Sequence, residues 1–131
     1  MIIVDTNTLA YLVITGSKTP RAESVRARDR DWHAPGLLRH ESLNVVAHYV
    51  RKGQLSRDEA AHAYRRGISL LKIDDSAPDP IEVLNLHIAS GCSSYDCQFV
   101  AAALARNVRL VMSDQEVLHA FPNTAVDLQS F

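Results

Sequence analysis

Four acids in this chain stand where an acid is costly or where a ligand site would form. Asp5 closes the apolar run Met1-Ile2-Ile3-Val4. Asp114 follows a second such run, Val108-Arg109-Leu110-Val111-Met112, with only Ser113 between. A buried strand that stops at an acid puts its carboxylate beyond the strand's carboxyl end, where open α/β sheets build their ligand crevices. An acid in that place also suits the cap of the following helix, so a capping reading stands beside the chemical one for both. Glu41 falls in a helix predicted over 37–51, on the same face as Leu37, Leu38 and Val45 and, one turn on, His48 and Tyr49. A carboxylate on an apolar stripe calls for compensation, whether from Arg39, a neighbouring histidine or a cation. Asp96 sits in the first turn of a helix predicted over 94–106, on the face of Phe99, Val100, Ala103 and Leu104, where the helix dipole also favours an acid. Thr6, Asn7, Asn44 and Ser113 are the polar side chains near these acids, Asn44 lying three residues after Glu41.

Four carboxylates around one crevice repel at neutral pH, so the group either shares protons or binds cations. Hard divalent ions such as Mg²⁺ take oxygen ligands, commonly a few carboxylates with water and substrate phosphates. Two ions about 3.5–4 Å apart stabilise the attacking and leaving oxygens of a phosphodiester displacement, and one ion still activates water. In that chemistry the carboxylates position metal and water rather than act as nucleophiles.

The elements able to hold such a group follow from periodicity and caps. The two apolar runs read as buried strands, since they are continuous rather than alternating. Leu70-Leu71-Lys72-Ile73, Trp32-His33-Ala34 and Ala125-Val126 are weaker strand candidates. Helices are predicted over 7–15 after a cap at Thr6, 20–30 from Pro20, 37–51 after Pro35-Gly36, 57–68 after Ser56, 80–90 before Gly91, and 94–106 after Ser93. A short turn covers about 115–120. Strands alternating with helices, with no repeat or linker, predict one α/β domain over 1–131 around a mostly parallel sheet.

The 131 residues, 47% hydrophobic and 22% charged, suit one globular core. No apolar run reaches the roughly 20 residues of a membrane span. Met1 leads straight into the first strand without a basic n-region or cleavage site, so neither a signal peptide nor membrane attachment is expected. Cys92 and Cys97 make no disulfide framework, which suits a reducing cytoplasm. Charge is unevenly spread: residues 1–73 hold 12 Lys/Arg against 7 Asp/Glu, and residues 74–131 hold 2 against 8. The basic half, with Arg51, Lys52, Arg65 and Arg66 foremost, is either a set of solvated helix faces or a surface for phosphate backbones.

Four segments, in order, make the chain resemble a PIN-domain ribonuclease, most closely the VapC-type toxins of type II toxin–antitoxin systems. They are Ile3-Val4-Asp5-Thr6-Asn7-Thr8-Leu9, Pro35-Gly36-Leu37-Leu38-Arg39-His40-Glu41-Ser42-Leu43-Asn44, the stretch from Ser94-Tyr95-Asp96 to Ala105, and Leu110-Val111-Met112-Ser113-Asp114. The resemblance spans essentially the whole chain. It implies a three-layer α/β/α fold with a central, mostly parallel five-stranded sheet, and endonucleolytic RNA cleavage dependent on Mg²⁺ or Mn²⁺, one or two ions. It also implies a homodimer and a cognate antitoxin protein. On it, Asp5, Glu41, Asp96 and Asp114 match the family's catalytic, metal-holding acids, with Asn7 and Asn44 at positions commonly polar. One departure is Met112, where the family usually carries Thr or Ser. Ser113 and Glu116 are the neighbours able to offer a hydroxyl or a further carboxylate in its place.

Rival readings rest on fewer residues. Asp5-Thr6-Asn7-Thr8-Leu9 also resembles the first motif of haloacid-dehalogenase-type phosphohydrolases, but Asn7 stands where their second acid transfers protons. A receiver domain would need a partner lysine, for which Lys72 is the sole candidate. A non-catalytic PIN-like module binding RNA or protein would be favoured by loss of an acid, and all four are present. A zinc site from His87, Cys92 and Cys97 lacks standard spacing and a fourth ligand, so small buried cysteines are the better account.

Overall fold

Ile2, Ile3 and Val4 carry no polar group and are almost wholly buried, which places them at the centre of the sheet. The computed structural model describes residues 1–76 and 78–131. In chain order its elements are β1 (Ile2–Val4), α1 (Thr6–Val13), α2 (Thr19–Arg28), β2 (Trp32–Pro35), α3 (Leu37–Arg51), α4 (Arg57–Ser69), β3 (Lys72–Asp74), α5 (Pro80–Ser90), α6 (Ser94–Arg106), β4 (Leu110–Met112), α7 (Gln115–Ala120) and β5 (Ala125–Asp127). The five strands pair in parallel in the order β3-β2-β1-β4-β5. Ile3 lies opposite His33 on one side and Leu110 on the other. Helices flank the sheet as the expected α/β/α layers. The α6 helix packs on β1, β2 and β4 with α5 against it, while α1 gathers α2, α3 and α4.

Where boundaries moved, a cap moved them. The α1 helix starts at Thr6, not after it, because Asp5 rather than Thr6 is the N-cap. The α4 helix starts at a full capping box between Ser56 and Glu59 and runs on to Ser69. Leu70 closes it by donating its N–H to the Gly67 carbonyl, so β3 begins at Lys72 instead of at Leu70. Asn107 takes the left-handed conformation, φ 52°, and the Val108 N–H closes back on the Ala103 carbonyl. That closure consumes the residues expected to open β4, which starts at Leu110. Among the described residues no helix is long and apolar enough to cross a membrane.

Candidate active site: an acidic cleft at the strand ends

The chain winds from β1 outward through β2 to β3, then returns past β1 to β4 and β5. The winding therefore reverses at β1, and the crevice beyond the carboxyl ends of β1 and β4 is the favoured ligand site of such a sheet. Asp5 leaves β1 into that crevice. Its Oδ1 accepts the N–H of Thr8 at 2.8 Å, so the same side chain caps α1. Only 9% of Asp5 is exposed, and burial pushes its pKa from 3.8 up to about 6. The Thr8 hydrogen bonding opposes that rise, and the charges of Asp96 and Glu41 add to it.

Glu41 lies one turn into α3, half-buried, with Oε1 accepting the Thr6 hydroxyl at 2.8 Å. Burial raises its pKa, with a contribution from Asp96, while the Thr6 hydrogen bond pulls the other way. Arg39, the nearest counter-charge to Glu41 in sequence, instead pairs with Asp75 at 3.2 Å. His48 is exposed and Tyr49 half-buried, so the stripe beneath Glu41 is narrower than the sequence suggested. Asp96 enters from the first turn of α6, its N–H donated to the Ser93 cap at 3.0 Å. Burial again leads the upward shift of its pKa, opposed by the Ser93 bond and reinforced by Asp114 and Glu116. Phe99, Val100 and Ala103 back it in the core, but Leu104 points outward, 49% exposed.

Asp5, Thr6, Asn7, Glu41, Asn44 and Asp96 line one cleft of about 240 Å³, walled by Val45 and Phe99. Three of the four acids thus share a space. Asp114 does not line it, although its charge and that of Glu116 reach Asp96. It caps α7, with Oδ1 accepting from the backbone N–H groups of Glu116 and Val117 at 2.9 and 3.2 Å. Backbone amides therefore hold Asp114 where a neighbouring hydroxyl was expected. Ser113 makes no hydrogen bond to it among the described residues, and Met112 is buried in β4.

The residue that sequence reasoning missed is Thr8. It is fully buried, and besides holding Asp5 it donates its hydroxyl to the Val111 carbonyl at 3.2 Å. It thereby ties the start of α1 to β4 and fixes Asp5 against the strand that leads to Asp114. The available signal was its place three residues after a capping acid. Arg51, Lys52, Arg65 and Arg66 are all exposed on the packed α3–α4 pair, and none lines the cleft.

No three His, Cys, Asp or Glu side chains among the described residues stand close enough to form a finished cation cage. Uncompensated carboxylates repel on approach. The donor set nevertheless fits a hard divalent ion: every ligand atom is oxygen, and Asp5 is held through Oδ1 with its charge disfavoured by burial. Cys92 and Cys97 are buried, and His87 Nδ1 faces the Cys92 carbonyl, which leaves no soft-metal site there.

Residues 2–123 match the family model described as PIN domain. Ribonuclease VapC3 of Pyrobaculum aerophilum is 24% identical over 124 residues, covering 92% of this chain and 95% of that protein. A crystal structure of a P. aerophilum protein superposes with a TM-score of 0.77 at 22% identity, covering 98% of this chain and 90% of that one. FitAcB from Neisseria gonorrhoeae superposes with a TM-score of 0.74 at 14% identity, and a toxin–antitoxin complex from Klebsiella pneumoniae with 0.69 at 16%, each covering 100% of both chains.

Proposed function

The chain belongs to the PIN domain family, and on that premise we propose that it is a divalent-cation-dependent endoribonuclease, the toxin of a toxin–antitoxin pair. The observation that carries the reading is Asp5, a nearly buried carboxylate with a pKa of about 6, sharing one cleft with Glu41 and Asp96. A site that only capped a helix would not need two further acids. The name of the P. aerophilum relative and the toxin–antitoxin complexes among the structural neighbours support the same activity and an antitoxin partner. A homodimer in the cytoplasm completes the reading.

Asp5, Glu41 and Asp96 would hold Mg²⁺ or Mn²⁺, one ion or two, with Asp114 reaching in from outside the cleft lining. The bound ion supplies Lewis acidity toward the phosphodiester and toward the attacking water. The chain's own residues do the rest. Thr8 keeps Asp5 in register with β4, and Thr6 holds one Glu41 oxygen and leaves the other without a hydrogen bond among the described residues. Asn7 and Asn44 offer amide donors and acceptors to a phosphate or ribose, while Val45 and Phe99 exclude water from one wall. Arg51, Lys52, Arg65 and Arg66 attract the RNA backbone toward the acidic cleft.

Loss of an acid would have favoured a non-catalytic module, and Asp114, held by backbone amides, does not depend on the hydroxyl that Met112 lacks. A phosphohydrolase using Asp5 as nucleophile would need a proton-transferring acid at exposed Asn7. The test is RNA cleavage by purified protein. Asp5→Asn and Asp96→Asn should each abolish it while circular dichroism stays unchanged, and EDTA should stop the wild type. Full activity of both variants would overturn the reading.

A further inference from the structure

At the opposite end of the sheet, where β2 and β3 begin, a second cavity of about 400 Å³ lies among Arg26, Arg30, Asp31, Trp32 and Lys72. Two of its lining residues each carry a buried donor that makes no hydrogen bond among the described residues, Trp32 Nε1 and Arg26 Nη1. Trp32 is only 1% exposed. The Arg26 guanidinium lies over its ring, Cζ 5.1 Å from the centroid, a contact that does not satisfy its N–H groups.

The residues lining the cavity carry three cations, Arg26, Arg30 and Lys72, against one acid. Asp31 is the one acid lining the cavity, and its Oδ1 already accepts from Lys72 Nζ and His33 Nε2, both at 2.9 Å. Asp29, the acid next to Arg30, accepts the Met1 amino terminus through Oδ2 at 2.7 Å. Among the described residues neither Arg26 nor Arg30 makes an ion pair, so two guanidinium groups face each other's charge. Burial, and then Arg30, lower the pKa of Arg26, and the charge of Asp29 opposes them. Unpaired buried donors beside excess positive charge call for an anionic acceptor, and the guanidinium fork matches the oxygens of a phosphate.

We propose that this cavity is a phosphate-binding site, separate from the acidic cleft, in which Arg26 and Trp32 Nε1 donate to the phosphate oxygens and Arg30 adds charge. Both donors are shielded from solvent, so a ligand reaches them only when a lining side chain moves. The phosphate is either free or carried on the end of an RNA strand, and the two sources share this recognition.

Trp32 is the only tryptophan, so its fluorescence reads the site directly. Inorganic phosphate, titrated in EDTA against chloride at matched ionic strength, should give a saturable change in emission. Arg26→Gln and Arg30→Ala should each raise the half-saturating concentration about tenfold or more, the loss expected for a charge-assisted hydrogen bond or a close charge. Asp5→Asn should bind as the wild type does, so failure of the nuclease reading would leave this result standing. Competition by a 5′-phosphorylated RNA oligonucleotide, but not its 5′-hydroxyl form, would identify a strand end as the source; competition by neither would identify free phosphate. A change reproduced by chloride, or half-saturation unaltered in both arginine variants, would overturn the site.

Discussion

Asp5→Asn is expected to stabilise the cation-free protein while destroying its chemistry. Asparagine keeps the oxygen that caps α1 by accepting the Thr8 N–H, so the helix start is preserved. What it removes is a buried charge. A carboxyl whose pKa rises from 3.8 unfolded to about 6 folded binds more protons in the folded state between those values. Stability from this group is therefore complete below about pH 4 and is lost as pH rises through about 6. At 1.36 kcal/mol for each tenfold in proton affinity, the ionised folded state carries a cost of about 3 kcal/mol above pH 7. Relief of repulsion on Glu41 and Asp96 acts in the same direction. Urea unfolding of both proteins in EDTA, from pH 4 to pH 8, would show the variant more stable by roughly 1–3 kcal/mol at pH 8 and the two converging toward pH 4. Added Mg²⁺ should then stabilise the wild type by mass action and leave the variant unmoved. A gap that does not change with pH, or a variant less stable at pH 8, would show that Asp5 is not held as a disfavoured charge.

The basic face and the biological role carry their own expectations. Neutralising Arg51, Lys52, Arg65 and Arg66 together should weaken RNA binding and flatten its dependence on log salt by up to about 4, near one for each phosphate no longer neutralised. Filter binding from 50 to 200 mM salt measures both, and an unchanged slope would return those residues to the role of solvated helix faces. Expression without an antitoxin should arrest growth, and production of Asp96→Asn in its place should not. Unimpaired growth with abundant wild-type protein and intact RNA would remove the toxin assignment.

Local signals carried most of the fold. The limits of α3 and α6 follow from Gly36, Ser93 and the breaks after Arg51 and Arg106, all written within a few residues of the ends they set. The misplaced starts of β3 and β4 share one cause, since the closures at Leu70 and Asn107 borrow residues whose apolar character suits a strand equally well. In the site, Glu41 was legible because an acid on an apolar face is costly wherever the helix packs. Its partner was not: Thr6 lies 35 residues away and meets it only once α1 and α3 are docked. Thr8 was hidden for the same reason, as its hydroxyl finds the Val111 carbonyl 103 residues along the chain. The unequal standing of Asp114 also needed coordinates, because residue order does not say that three acids line a cleft and the fourth stands outside its lining.

The chemistry of the RNA ends bears most directly on the cleft as a cation-dependent hydrolytic site. Purified protein would be incubated with a defined RNA in Mg²⁺ or Mn²⁺, with EDTA and Glu41→Gln as parallel arms, and the fragments weighed by mass spectrometry. Attack by water predicts linear phosphomonoester ends opposite free hydroxyls, absent in EDTA and in the variant. Fragments ending in 2′,3′-cyclic phosphate, or equal cleavage in all arms, would contradict it.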